Sequence, residues 1–195
     1  LRRAGCVILG KTVTEEFARG GPTGLNPIRG TPWNPWDAET HRIPGGSSSG
    51  SGVAAAAALC GFAIGSDTGG SVRLPACYCG VFGLLPTWGT WPTSGVYPTC
   101  PSLDAIGPLT RSAEDGAIVY SALTGIAVPK IESVRGLRLG RPVGHFLDGL
   151  DADVEQCFAA TVSALADAGA IIIDTEIPEV SVCDDFFRVV IGGEF

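Results

Sequence analysis

Two serine–glycine loops hold the residues whose types and spacing suit chemistry: Gly45-Gly-Ser-Ser-Ser-Gly-Ser-Gly52 and Gly65-Ser-Asp-Thr-Gly-Gly-Ser71. Serine is a weak nucleophile, so a serine enzyme needs a base to take its proton and donors for the developing oxyanion. In the second loop Gly69 and Gly70 lack Cβ atoms, which lets the backbone turn sharply and aim several N–H groups at one point. Ser71 follows at once and opens a predicted helix, whose N-terminus adds partial positive charge. That pattern suits acyl transfer, although for one loop alone a tight turn with a helix cap is the simpler account. Three other accounts stand beside it. A phosphate-binding loop would want a lysine after the glycines, and neither loop has one. Gly46-Ser-Ser-Ser-Gly50 also fits a G-x-S-x-G elbow, with Ser48 as nucleophile and His145 as base, but His41-Arg-Ile-Pro44 is a poor central strand to precede it. A flexible linker would not run directly into the alanine-rich stretch Val53–Leu59.

The elements that must position these loops follow from periodicity and punctuation. Cys6–Leu9 reads as a buried strand after the end of a helix, and Thr12 and Glu15 have capping-box spacing for a short helix to Phe17. Gly20–Pro44, with four prolines and two tryptophans, is a long loop of the kind that usually serves function. The helix Val53–Leu59 is small on every face and is expected to be buried. A strand at Phe62–Ile64, a helix over 72–79, a strand at Ala105–Leu109 and a helix capped by Ser112 follow. Beyond them come a strand at Leu137–Leu139, an amphipathic helix Asp153–Ala168 ending at Gly169, a strand Ala170–Asp174 buried on both faces, and a helix over 181–191. Strands alternating with helices predict an α/β layered fold with a largely parallel sheet. No linker divides the chain, which is expected to form a single domain over 1–195.

Composition removes several function classes. Thirteen Lys and Arg against 20 Asp and Glu give a formal net charge of −7, and without a basic cluster the chain is not expected to bind nucleic acid or an anionic membrane. With 45% hydrophobic and 17% charged residues it is no disordered chain. The longest apolar run, Val53–Cys60, is far too short to span a bilayer. Seven cysteines without a secreted-protein pattern favour reduced thiols and a cytoplasmic setting, and Cys77 and Cys79 have neither CxxC spacing nor a neighbouring histidine for a metal. The chain of 195 residues starts at Leu1 and holds no methionine, so it is expected to be truncated at both ends.

The ordered motifs then resemble the amidase signature family. They are Leu9-Gly-Lys-Thr12, Gly30-Thr-Pro-x-Asn-Pro-Trp-Asp37, the two loops, the run through Val72-Arg-Leu-Pro75, Cys79-Gly80, Gly83-x-x-Pro-Thr87, Ser102-Leu-Asp104, Gly107-Pro108 and Arg111-Ser-x-Glu-Asp115. The resemblance covers residues 1 to about 125. It implies an α/β/α sandwich around a large mixed, mostly parallel sheet, present here incompletely. It also implies a Ser–cis-Ser–Lys triad in which Ser71 is the nucleophile and Ser47 the bridging serine. The oxyanion donors fall on the amides around Thr68, Gly69, Gly70 and Ser71, while Asp67, Arg73 and Ser48 are expected to hold the loops. No metal or organic cofactor is implied, and the expected partner is a small-molecule amide.

The family's lysine lies upstream of the first strand expected here. Lys11 falls on a different, non-catalytic family position and Lys130 lies past the signature, so the chain by itself is expected to be inactive. Ser49 stands where many relatives have glycine, and Leu85 where lysine is usual. The amidase component of tRNA-dependent amidotransferases, which uses glutamine as ammonia donor, tends to carry glutamine at the position of Leu74. Leu74 and the Trp88-Gly-Thr-Trp91 loop therefore lean toward a less polar amide. A non-catalytic amidase-like scaffold is the alternative of a different class.

Overall fold

The computed structural model describes all 195 residues and divides into two compact units, residues 1–128 with 190–195, and residues 129–189. In the first unit α1 (Ser49–Ala56) leads to strand β1 (Ala63–Asp67), α2 (Arg73–Tyr78) and β2 (Phe82–Gly83), then to β3 (Ala105–Thr110) and α3 (Ala113–Thr124). The three strands form one sheet in the order β1-β3-β2. Its core is built from small and medium side chains, Ala55, Ala63, Val72, Ala76 and Leu109, so α1 and α2 approach the sheet closely. Gly52 lets α1 lie on α2: a Cβ there would stand 2.9 Å from the Pro75 Cβ. Ser112 caps α3 by accepting the Asp115 N–H at 3.0 Å, and Gly125 ends that helix with φ 74°.

The proline-rich loop over 20–44 is tied to the C-terminal end of α2. Helix ends leave carbonyls without partners, and here the loop supplies donors. Buried Asn34 gives its amide to the Tyr78 carbonyl at 2.9 Å, and Trp36 Nε1 donates to the Cys79 carbonyl at 2.6 Å.

The second unit pairs β4 (Arg138–Pro142) with β5 (Ile171–Thr175) in parallel, joined through α4 (Ala152–Asp167). Phe158, Val162 and Leu165 of α4, spaced four and three residues apart, are half-buried. A groove of about 390 Å³ in this unit is lined by Arg141, Leu147, Leu150, Phe158 and Val162. Helix α5 (Val180–Glu194) closes the chain. No helix of the protein is long and apolar enough to cross a membrane.

The mixed α/β class agrees with expectation, but strand direction and several local elements differ. Parallel pairing holds only for β4 and β5; β1 and β2 both pair antiparallel with β3. β3 lies between β1 and β2 and runs antiparallel to both, so β1 and β2 share one direction without being neighbours, and the inserted strand takes the place of the parallel contact that strand–helix alternation predicts. Cys6–Leu9 is no strand: it has no regular structure, and Val7 and Leu9 are 82% and 73% exposed. Thr12 and Glu15 form no capping box: the short turn begins only at Glu16, the Thr12 hydroxyl pairs with that of Ser51, and the Glu15 side chain turns into the interior. The isoleucines of β5 are not buried on both faces; Ile171 is exposed, since a two-stranded sheet with one helix cannot cover both sides.

Candidate active site

Strand β1 ends at Asp67, and its carboxylate organises the loop that follows. Oδ1 accepts the Gly70 N–H at 2.7 Å and Oδ2 the Val72 N–H at 3.1 Å, while Arg73 donates through Nε and Nη2 at 3.1 Å each. Burial pushes this carboxyl up, but the hydrogen bonds from Arg73, Gly70 and Val72 outweigh it, and Asp67 is held below the usual carboxylate range. The same contact raises Arg73. A carboxylate accepting backbone N–H groups beside a guanidinium favours its charged form. Gly70, with φ 125°, supplies a backbone conformation that L side chains rarely adopt.

This arrangement leaves Ser71 half-buried at the end of the loop. Its hydroxyl bonds to no protein atom, and the N–H groups of Thr68, Gly69 and Ser71 donate to no protein acceptor. Gly70 is the exception among the expected oxyanion donors, because its N–H is already taken by Asp67. A cluster of undirected backbone N–H groups beside a free hydroxyl can stabilise developing negative charge on a carbonyl oxygen.

The first loop lies against the second through the Ser48 N–H, which donates to the Ser71 carbonyl at 3.2 Å. The Gly46–Ser47 peptide is cis. Four serines stand at 47, 48, 49 and 51, all buried, and three of them are committed. Ser48 Oγ donates to the Ser66 carbonyl and accepts the Ser66 N–H, both at 3.2 Å. Ser49 Oγ donates to the Val13 carbonyl at 3.2 Å, and Ser51 Oγ to the Ile64 carbonyl at 2.8 Å. A buried hydroxyl without a partner costs about 1–3 kcal/mol, so these bonds account for the three serines as structure. Ser47 alone among the four has a hydroxyl with no protein partner. No hydrogen bond joins the Ser47 and Ser71 hydroxyls to each other; in unliganded sites such bonds are often long.

The commitment of Ser48, and the lack of a strand before it, remove the support for the elbow arrangement. His145 lies in the second unit with its ring edge-on to Phe146. Lys11 and Lys130 are both exposed.

Two residues by the site escaped sequence reasoning as contributors. Asp104 accepts the Thr68 hydroxyl at 2.5 Å and, through its other oxygen, the Thr99 and Cys100 N–H groups at 2.8 and 3.0 Å. It thereby ties the 99–104 loop to the serine loop, beside a cavity of about 50 Å³ lined by Ser66, Tyr97, Thr99 and Ile106. The Ser102-Leu-Asp104 motif was the available signal, without a role attached. The second residue is Glu15, 1% exposed, whose N–H donates to the Ser47 carbonyl at 3.0 Å.

The family model described as Amidase matches residues 1–192. The 2-amino-5-chloromuconic acid deaminase of Comamonas testosteroni is 43% identical over 192 residues, covering 96% of this chain and 41% of that protein. A glutamyl-tRNA(Gln) amidotransferase subunit of Salinibacter ruber is 43% identical over 196 residues, covering 91% of this chain and 37% of its own length. Among solved structures, the corresponding glutamyl-tRNA(Gln) amidotransferase subunit of Thermotoga maritima superimposes with a TM-score of 0.86 at 33% identity, over 96% of this chain and 44% of that one. The peptide amidase of Stenotrophomonas maltophilia does so at 0.83 and 32% identity, over 100% and 44%. The chain thus spans about two fifths of the length of these relatives. With the matched model running over nearly every residue and the serine loops folded as described, the chain belongs to the amidase signature family.

Proposed function

We propose that the full-length protein hydrolyses the carbon–nitrogen bond of a small-molecule amide through an acyl-enzyme on Ser71, in a cytoplasmic setting. One observation carries the assignment of roles: of the four clustered serines only Ser47 keeps a free hydroxyl, and its neighbour Ser48 is bonded to the backbone of Ser71. Both units would belong to one incomplete amidase signature domain, a view supported by the family match across 1–192.

In this mechanism Ser47 takes the proton of Ser71 and passes its own to a neutral lysine, as Ser71 Oγ attacks the carbonyl carbon. The oxyanion is received by the unengaged N–H groups of the 68–71 segment, with Gly69 and Ser71 foremost and Gly70 shaping the turn. The amine leaves with a proton returned along the relay, and water then cleaves the ester. The lysine comes from outside these 195 residues, consistent with the exposed positions of Lys11 and Lys130. Such a lysine acts as a base only where burial and neighbours lower its pKa.

The test is labelling of the full-length protein with a fluorophosphonate, followed by mapping of the modified peptide. The expected label is on Ser71 and is lost in Ser71→Ala. A label on Ser48 would restore the elbow mechanism, and no label on the folded protein would favour a non-catalytic scaffold.

A second reading, the amidase component of a tRNA-dependent amidotransferase, is favoured by the glutamyl-tRNA(Gln) amidotransferase relative at 43% identity. Against it, Leu74 lies over Gly70: a Cβ on that glycine would stand 3.1 Å from Leu74 Cδ1, placing an apolar side chain beside the loop. Ammonia release from glutamine, compared with turnover of apolar carboxamides, separates the two.

A further inference from the structure

We infer that Glu15 is a positioning residue for Ser47, holding the bridging serine against the 20–24 turn through a carboxyl enclosed between two glycines. The inference rests on the amidase reading of Ser47 and Ser71. Glu15 is the largest buried acidic side chain of the protein, 1% exposed, and no cation reaches it. Its N–H donates to the Ser47 carbonyl at 3.0 Å, so its main chain is joined to the residue in question. Its Oε1 accepts the Gly24 N–H at 2.7 Å and the Thr23 hydroxyl at 3.3 Å, so its side chain is joined to the turn. The space around the carboxyl is set by glycines on both sides. A Cβ at Gly46, immediately before Ser47, would stand 2.6 Å from Oε1, and one at Gly20 would stand 2.9 Å from Cδ.

Oε2 is buried with no hydrogen-bond partner, an arrangement a carboxylate tolerates poorly and a carboxylic acid tolerates better. Desolvation pushes this carboxyl up in the same sense, with the Gly24 and Thr23 bonds acting against it. Glutamine at this position would match the side chain in length and keep an acceptor at Oε1 for the Gly24 N–H and the Thr23 hydroxyl.

Glu15 makes no contact with reacting atoms, and its effect is exerted through the place of the Ser47 hydroxyl. Displacement of a relay group by about 1 Å lowers the rate on the order of 100-fold. The experiment uses the full-length protein and an amide that it turns over, with fluorophosphonate labelling of Ser71 in every variant. Glu15→Ala is expected to lower kcat on the order of 100-fold with KM within about twofold. Glu15→Gln is expected to recover most of that loss, and Glu15→Asp, too short to reach Gly24, is not. Gly20→Ala, which crowds the carboxyl without removing it, is expected to lower kcat in the wild-type background and to add nothing to Glu15→Ala. That non-additivity is the signature of action through one group, and it keeps the inference testable through Gly20→Ala even where Glu15→Ala does not fold. An unchanged kcat in Glu15→Ala, equal losses in kcat and KM, or additive effects of the two substitutions would overturn the inference. Absence of wild-type labelling at Ser71 would instead overturn the amidase reading beneath it.

Discussion

Replacing Asp67 by asparagine tests the account of the serine loop most directly. The carboxylate receives bonds on both oxygens: Gly70 N–H and Arg73 Nη2 on one, Val72 N–H and Arg73 Nε on the other. An asparagine keeps the shape but must turn its NH₂ toward one of these sets, where it meets donors only. A buried backbone N–H left facing a donor costs about 1–3 kcal/mol. Arg73 adds little, because its side chain is 51% exposed and water can take over its solvation, which limits such a pair to about 0–1 kcal/mol. The sum is about 3 kcal/mol for Asp67→Asn, against less than about 1 kcal/mol for Arg73→Ala. With a urea slope of about 2 kcal/mol/M, the Asp67→Asn midpoint should fall by about 1.5 M. The pH dependence has a definite sign. Asp67 is held below its unfolded value, so the unfolded chain binds more protons there, and stability rises with pH through that window. The wild type should hold this contribution in full above an unfolded carboxyl pKa of about 3.9 and lose it as pH falls through the lower folded value. The asparagine variant should lack this component of the profile. A midpoint shift under about 0.3 M, or an Arg73→Ala loss equal to that of Asp67→Asn, would refute the division of labour assigned here.

The remaining predictions are simpler. Ser71→Ala should abolish fluorophosphonate labelling of the full-length protein without changing its unfolding midpoint, since the Ser71 hydroxyl bonds to nothing in the fold. Glu15→Ala and Gly20→Ala should be non-additive in kcat, because both act through the one enclosed carboxyl. Ser112→Ala should cost about 1 kcal/mol in urea unfolding, because Ser112 Oγ is the acceptor for the first turn of α3. In thiol titration of the native protein at neutral to mildly alkaline pH, exposed Cys77, Cys157 and Cys183 should react readily. Cys79, fully buried and pushed up by burial to about 11, should react only after unfolding.

What was legible in the sequence depended on how far apart the interacting residues lie. The Ser112 cap and α4 were readable because their determinants sit within a few residues of one another. Glu15 was not: its spacing from Thr12 suggests a local cap, while its actual partners come from the 20–24 turn and its enclosure from Gly46. Strand pairing within this chain was hidden for the same reason, since the antiparallel contacts arise from β3, about twenty residues beyond β2, entering between β1 and β2. Within the site, the loops themselves were visible as glycine-rich punctuation, and the resemblance carried the roles. Separating Ser47 from Ser48, Ser49 and Ser51 required their acceptors, the carbonyls of Ser66, Val13 and Ile64, and no local pattern encodes those.

The bond between the Ser48 N–H and the Ser71 carbonyl has a practical consequence for dissecting such a centre. Because both of its atoms belong to the main chain, no replacement short of proline at 48 removes either of them. Alanine at 47 or 71 therefore subtracts one hydroxyl and leaves the scaffold that presents it standing. Kinetic losses in those two variants can be interpreted as chemistry, free of the collapse that clouds most mutational analysis of interlocked loops.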